Sequence, residues 1–228
     1  MVHINTDDLN SLIKRLPMLG EASEKALSAF KEYAFVKKVT AGESLAMEGS
    51  SCAHFFILLS GSVRVFKISE SGREITLYHV NKNESCILTA FCVMSKIDFP
   101  AFAVAEQDLE MLLIPSHIMQ DWINRHEIWR EHMFKTLSIR LSEILLTLDK
   151  ALFQPLDSRI ADFIFQTAKE TNSHHIKITH EKMARELGSS RVAVSRMLES
   201  FERNGILKLS RGKITIKDPA ALKRVISP

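Results

Sequence analysis

With 228 residues, 46% hydrophobic, 25% charged and a formal net charge of +3, the chain has the composition of a soluble protein of one large or two modest domains. No apolar run approaches the roughly 20 residues of a membrane span, and the opening MVHINTDDLN has neither a basic nor an apolar signal region, which predicts a cytoplasmic protein. Three cysteines, at 52, 86 and 92 and without CxxC spacing, argue against a disulfide framework and a zinc site.

Residues 6–33 place Leu9, Leu12, Ile13 and Leu16, then Ala26, Leu27 and Phe30, at helical spacing, and Pro17 and Gly20 break the pattern into two short helices. From Tyr33 the period changes. Ala34 to Val39, Ser44 to Met47, His54 to Leu59, Ser62 to Ile68, Arg73 to Val80, Pro100 to Glu106 and Leu109 to Ile114 are short strand-like runs punctuated by Gly42, Gly49, Gly61 and Gly72, the pattern of a barrel or jelly roll. A cupin enzyme is the rival jelly roll, but it needs a histidine pair and a carboxylate on one metal. These strands offer His54 and the more distant His79, while the His174-His175 doublet falls in a polar stretch that reads as a solvated loop, so no metal site is expected.

Ser116 is placed to cap a long helix whose second half carries Phe134, Leu137, Leu141, Ile144, Leu148 and Ala151 in 3-4 steps, an a/d seam suited to a parallel homodimer. Met133, Ile139 and Leu145 lie on another face, expected to pack on the barrel. Pro155 ends this helix and makes Phe153-Gln154 a hinge. Asp157 is placed to cap a helix over Ser158 to Lys169 with Ile160, Phe163, Ile164 and Ala168 inward, and Asp218-Pro219 starts a short last helix.

The most informative stretch runs from Ile178 to Ile216. Thr179 caps a helix over His180 to Leu187, Gly188 supplies a left-handed turn, and Ser189 or Ser190 caps a second helix with Val194, Met197, Leu198 and Phe201 on one apolar face. Its other face carries Arg191, Val192, Ser195, Arg196 and Glu199. Asn204-Gly205 stops it, and Ile206 to Leu209 and Lys213 to Lys217 form a hairpin around Ser210-Arg211-Gly212. From Lys177 to Lys217 there are ten Lys or Arg against four Glu, a local +6 that leaves −3 for the rest of the chain. A basic winged helix-turn-helix on a slightly acidic body suits a phosphate backbone.

The segment GSSRVAVSRML, with the wing GKITI, resembles the turn and recognition helix of the Crp/Fnr family of bacterial transcription regulators, and AGESLAMEGSSCAHFFILLSGSVRVF resembles the opening strands of the cyclic-nucleotide-binding fold. The resemblance implies an α+β protein: an effector-sensing β jelly-roll barrel with N-terminal helices over 1–115, a long dimerisation helix over 116–153 and a winged helix-turn-helix over 154–228. It implies a homodimer with Phe134, Leu137, Leu141, Ile144 and Leu148 in the seam, a palindromic double-stranded DNA partner, and RNA polymerase as a further partner. Carried over residue by residue, Arg191 and Arg196 read guanine or hold phosphate, with Ser195 between them, and Thr179, Ser189, Ser190 and Lys213 hold phosphates. Val192 departs from the glutamate that most relatives carry there; it can touch a thymine methyl but cannot accept from cytosine.

The effector is where the chain departs most. Relatives that bind cyclic AMP use a Gly-Glu pair and an Arg-Ser pair, and alignment puts Ile87-Leu88 and Pro100-Ala101 in their places. A buried phosphate without those partners loses several kcal/mol, about the cost of unpaired buried charge, so cyclic AMP and cyclic GMP are not expected there. Residues 1–51 contain no cysteine, which argues against the iron-sulfur cluster of the oxygen-sensing branch. Haem is a further candidate, with His79 or Cys86 as ligand. Tyr78, Cys86, Ile87, Leu88, Thr89, Cys92, Pro100 and Ala101 are the expected effector pocket, and Cys86 the favoured thiol if the signal is an oxidant. A direct Cys86 to Cys92 bridge is too long in either a strand or a helix.

No nucleophile elbow, phosphate loop or HExxH motif is present, so no enzyme is expected. The alternative function is a cyclic-nucleotide-binding-like sensor subunit whose C-terminal module binds protein rather than DNA.

Overall fold

The computed structural model describes residues 2–3 and 6–226; within these the side chains of 2, 3, 6–8, 17, 18, 147 and 150–152 are not described, so Ala151 of the seam lies outside the described side chains. The fold is α+β, in two compact units: one holds the residues up to Lys67 with Leu77–Ile144, the other Ile68–Thr76 with Leu145 onward.

In the first unit the elements run β1 (Val2–His3), α1 (Thr6–Arg15), α2 (Pro17–Gly20), α3 (Glu24–Tyr33), β2 (Phe35–Val39), β3 (Ser44–Ala46), β4 (His54–Ser60), β5 (Val63–Ile68), β6 (Glu74–Val80), α4 (Ile87–Ser95), β7 (Phe102–Ala105), β8 (Leu109–Pro115), α5 (Ser116–Arg125) and α6 (Glu127–Phe153), with the end of β5, the start of β6 and the end of α6 among the second unit's residues. All seven expected strands are present, each within two residues of its expected ends. Together with β1 they form two four-stranded sheets, β1-β2-β8-β4 and β3-β7-β5-β6. Strand β4, at the end of the first sheet, explains the run HFFILLS. Phe55, Ile57 and Leu59 face a core shared with the helices, whereas Phe56 and Leu58 face the barrel interior, so both faces are buried and alternation disappears. Gly61 makes the turn after β4 at φ +90°, where an added Cβ would stand 2.4 Å from the Leu109 Cβ.

Outside the barrel, Phe30, Trp122 and Trp129 stack with centroids 5.3–6.2 Å apart, tying α3, α5 and α6 into one core. The helix expected from Ser116 is two helices. His126 is extended, at φ −123° and ψ 118°, and separates α5 from α6; Pro115, not Ser116, stands at the cap position. Arg125 in the last turn of α5 and Glu127 in the first turn of α6 complement the two helix dipoles, which favours a break at this point without Pro or Gly. Met133 is buried as expected, but Ile139 and Leu145 are about half-exposed.

In the second unit follow α7 (Leu156–Glu170), β9 (His175–Lys177), α8 (His180–Glu186), α9 (Arg191–Arg203), β10 (Leu207–Ser210), β11 (Lys213–Ile216) and α10 (Pro219–Ile226). Asp157 lies inside the first turn of α7 and accepts from the Ser158 amide at 2.8 Å, with Pro155 at the cap position. His175 opens a strand rather than lying in a loop: β9 pairs antiparallel with β11, and His175 Nδ1 is 3.1 Å from Thr215 Oγ1. Ile176, buried between two exposed neighbours, is the apolar residue that seats this short edge strand. Asp218 caps α10, accepting from the Ala221 amide at 2.8 Å.

Candidate nucleic-acid interface and barrel cavity

Two side-chain caps set the helix pair. Thr179 Oγ1 accepts from the Lys182 amide and Ser190 Oγ from the Ala193 amide, both at 3.1 Å, so Ser190 rather than Ser189 caps α9. Gly188, at φ +58°, ends α8, and the Ser189 amide closes the end by donating to the Ala184 carbonyl at 2.9 Å. Gly205 ends α9 in the same manner, through the Ile206 amide and the Phe201 carbonyl. Val194, Leu198 and Phe201 are buried, which turns Arg191, Val192, Arg196 and Glu199 outward. Val192 is 60% exposed, a large apolar group presented to solvent by a helix with a buried apolar face of its own.

Val192 and Arg196 share a face at i, i+4, as do Arg191 and Ser195. Ser195 Oγ lies 2.8 Å from His180 Nδ1, which joins α8 to the middle of α9. The wing loop has two residues, not three: Ser210 pairs with Lys213, leaving Arg211-Gly212 at the tip, and Gly212 takes φ +68° as such a tight hairpin turn requires. Glu202 Oε1 holds the wing to α9 by accepting from the Leu209 amide at 2.7 Å. An open groove of about 460 Å³ is lined by Thr179, His180, Glu181 and Arg191 on the helix side and by Leu209, Ser210, Arg211 and Gly212 on the wing side.

The geometry therefore brings Thr179 and Arg191 together with the wing. Ser189 and Lys213 are half-buried beside the groove rather than in its lining. His180 and Arg211 are the residues that sequence reasoning missed; a two-residue turn with Arg next to Gly was the available signal for the second. An exposed array of cations, caps and one apolar contact, raised on a rigid helix, can hold a polyanion and touch the edges of stacked bases.

In the barrel, a cavity of about 230 Å³ is walled by Lys37, Ser50, Cys52, His54, Thr89 and Met111 among others. Burial and the nearby Lys37 cation lower the His54 pKa. Of the eight residues expected around an effector, Thr89 lines this cavity. Tyr78, Cys86, Ile87, Cys92 and Ala101 are instead packed into the barrel core, Leu88 is half-buried against it, and Pro100 is exposed. The reason is that the Cys86–Ser95 segment folds as an apolar helix that fills the space with its own side chains. Cys86 is fully buried and its sulfur lies 3.4 Å from the Tyr78 hydroxyl; burial pushes both groups' pKa values up. His79 Nε2 pairs with the Glu106 carboxylate at 3.2 Å. Neither of the two expected iron ligands faces the cavity.

Two domain families match the chain: a cyclic nucleotide-binding domain over residues 36–126 and a Crp-like helix-turn-helix domain over residues 158–225. The chain is 21% identical to a global nitrogen regulator of Synechococcus elongatus over 199 residues, covering 84% of this chain and 90% of the relative. It is 25% identical to a cyclic AMP receptor protein of Thermus thermophilus over 205 residues, covering 90% and 92%. Among solved structures, a transcriptional regulator of the crp/fnr family from Eubacterium rectale superposes with a TM-score of 0.86 at 28% identity, covering 94% of this chain and all of that one. Among the described residues no helix is long and apolar enough to cross a membrane.

Proposed function

The chain belongs to the Crp/Fnr family of transcription regulators, and from that premise we propose that it acts as a homodimer that binds a palindromic operator through α9 and answers to a signal other than cyclic AMP. The observation that carries this reading is the doubly capped helix α9, whose buried face leaves Arg191, Val192 and Arg196 turned out beside a groove that continues to Arg211 on the wing. Two-fold symmetry then asks for half-sites about one helical turn, roughly 34 Å, apart.

The dimer is supported by α6. Phe134, Leu141 and Leu148 are more than half-exposed, with Leu137 and Ile144 partly so, and an apolar row of this length on one helix calls for a cover. A second copy of the same row supplies it. RNA polymerase is the further partner that a DNA-bound regulator of this kind addresses.

The Thermus relative is named for cyclic AMP, but this chain offers that ligand little. Ile87 is buried and apolar where the nucleotide-binding relatives carry their Gly-Glu pair, and Ala101 is buried where they carry Arg-Ser. The cavity, about 230 Å³, is also below the roughly 300 Å³ at which sites for drug-sized ligands begin, and a haem is larger still. With His79 and Cys86 both turned to other partners, the residues present do not fit a haem. A smaller effector, or modification of a thiol, suits this barrel better.

The test is a titration of duplexes drawn from a random pool at several salt concentrations. A steep fall of affinity with salt and a two-fold selected site are expected; no salt slope would favour the sensor subunit that acts through protein contacts. Calorimetry with cyclic AMP should give no stoichiometric heat.

A further inference from the structure

The 2.8 Å contact between His180 Nδ1 and Ser195 Oγ joins α8 to α9, and both partners have a second side. His180 lines the groove between the helix pair and the wing, and its other ring nitrogen, Nε2, has no hydrogen-bond partner among the described residues. Ser195 lies one turn beyond Arg191 on the same face of α9, half-buried, and the His180 ring is its hydroxyl's partner. A neutral imidazole has one donor nitrogen and one acceptor nitrogen, whereas a serine hydroxyl both donates and accepts. The contact therefore has two possible polarities, and whatever lies at Nε2 selects one of them. Arg191 and Arg211 outweigh Glu181 in the groove lining, so a phosphate oxygen is the group that this groove attracts. A phosphate oxygen only accepts. It requires the proton on Nε2, which leaves Nδ1 bare to accept from the Ser195 hydroxyl.

We propose that His180 is a positioning residue that makes Ser195 a selective base contact: with its proton held by His180, Ser195 offers the DNA lone pairs alone. A free serine hydroxyl bonds to donor and acceptor edges alike, so by itself it discriminates little. An oxygen that can only accept favours the amino groups, adenine N6 or cytosine N4, over guanine O6 and N7 or thymine O4. The same ring thus holds the backbone through Nε2 and sets the reading polarity of α9 through Nδ1. This inference rests on the operator reading, since it needs α9 in a major groove, and it adds to that reading the kind of base edge that Ser195 selects. The contact is specific to the side chains present. Without an acceptor at position 180 the hydroxyl turns freely and the preference is lost.

The experiment is selection from random duplexes at pH 8 with the full chain, for the wild type, His180→Phe, Ser195→Ala and the double variant, joined to nitrogen-15 NMR of the His180 ring with the selected duplex bound. Ser195→Ala identifies the base position that Ser195 reads, and the wild type should prefer adenine or cytosine there by about fivefold, the worth of one hydrogen bond. His180→Phe keeps a ring but no acceptor; it should relax that same position and leave the bases under Val192 and Arg196 unchanged. The double variant should relax it no further. The NMR spectrum should show a protonated Nε2 and a bare Nδ1, and this second measurement decides the polarity even if His180→Phe fails to fold. A proton on Nδ1, a wild-type preference for guanine or thymine at the Ser195 position, or a preference that survives His180→Phe would each overturn the proposal and leave the operator reading standing. A wild type that selects no duplex overturns both.

Discussion

The Arg140 guanidinium lies over the Tyr78 ring, 5.6 Å from its centroid, and the Tyr78 hydroxyl reaches the Cys86 sulfur at 3.4 Å. Arg140 also pairs with Glu84 and, at 2.6 Å, with Glu143. One nearly buried cation on α6 is thus held by a ring on β6 and a carboxylate in the segment before α4.

Arg140→Met keeps most of the buried volume and removes the charge. It forfeits the ion pairs and the cation–π contact, while Glu84 and Glu143 can rehydrate because both are partly exposed. A loss of about 1–3 kcal/mol is expected, against less than about 1 kcal/mol for Glu143→Gln. Urea unfolding followed by the fluorescence of Trp122 and Trp129, both buried in the first unit, measures it; equal losses for the two variants would count against Arg140 as the anchor.

His132, on α6 with Nε2 3.4 Å from Ser85 Oγ, has its pKa lowered from 6.5 to about 4 by burial and by Lys135. The unfolded chain takes up this proton near 6.5 and the native chain only near 4. The stability due to the neutral ring is therefore fully present above 6.5 and is lost as pH falls towards 4, by on the order of 2 kcal/mol at pH 5. Between pH 7 and 5 the urea midpoint of the wild type should fall further than that of His132→Gln. Parallel pH profiles would show that His132 is not the group responsible.

The barrel strands and the helix-turn-helix were legible in the sequence because each rests on local signals: the caps Thr179, Ser190 and Asp218 form the bonds their positions suggest. What was not legible depends on contacts distant in the chain. His175 becomes a strand residue only because Thr215 lies opposite it. The effector pocket was misjudged for a related reason. Alignment carries a position, not the space around it, and the apolar ILTAFCVM helix fills the space that alignment left open. On α6 the residues expected in a seam are exposed or partly so, but the exposed apolar face is wider than an a/d row, since Leu145 and Leu146 are exposed beside Leu141 and Leu148.

That wider face bears on assembly. Leu141 is 59% exposed in the single chain, so Leu141→Glu should leave the fold intact while placing an unpaired charge in the interface, at a cost of several kcal/mol, about that of a buried unpaired charge. Monomers are expected by light scattering, with unchanged circular dichroism and no operator binding. A dimer that persists in Leu141→Glu and in Ile144→Lys would remove α6 as the interface.

Arg196 and Lys213 should separate reading from holding. Arg196 is exposed on α9, whereas Lys213 is half-buried in β11, paired with Ser210 and Lys177. Arg196→Ala should cost about 1–3 kcal/mol and relax one base position; Lys213→Ala should weaken all duplexes alike and reduce the salt slope by about one. A sequence-selective effect of Lys213→Ala would reverse these roles.

Val192 carries the sharpest expectation. It is exposed on α9, one turn before Arg196 and on the same face, so both side chains meet neighbouring bases if either enters a major groove. Valine presents methyl groups and no acceptor, and it fits against a thymine methyl; glutamate accepts from cytosine N4. Val192→Glu should therefore shift the preferred base pair at one position of each half-site from T·A towards C·G, with a discrimination of about 1–3 kcal/mol, while the bases under Arg196 stay as they were. Selection from random duplexes, run in parallel on wild type and variant, reads both positions at once. An unchanged half-site would place Val192 outside the groove, and a change at every position would mean that the substitution had moved α9 rather than altered one contact.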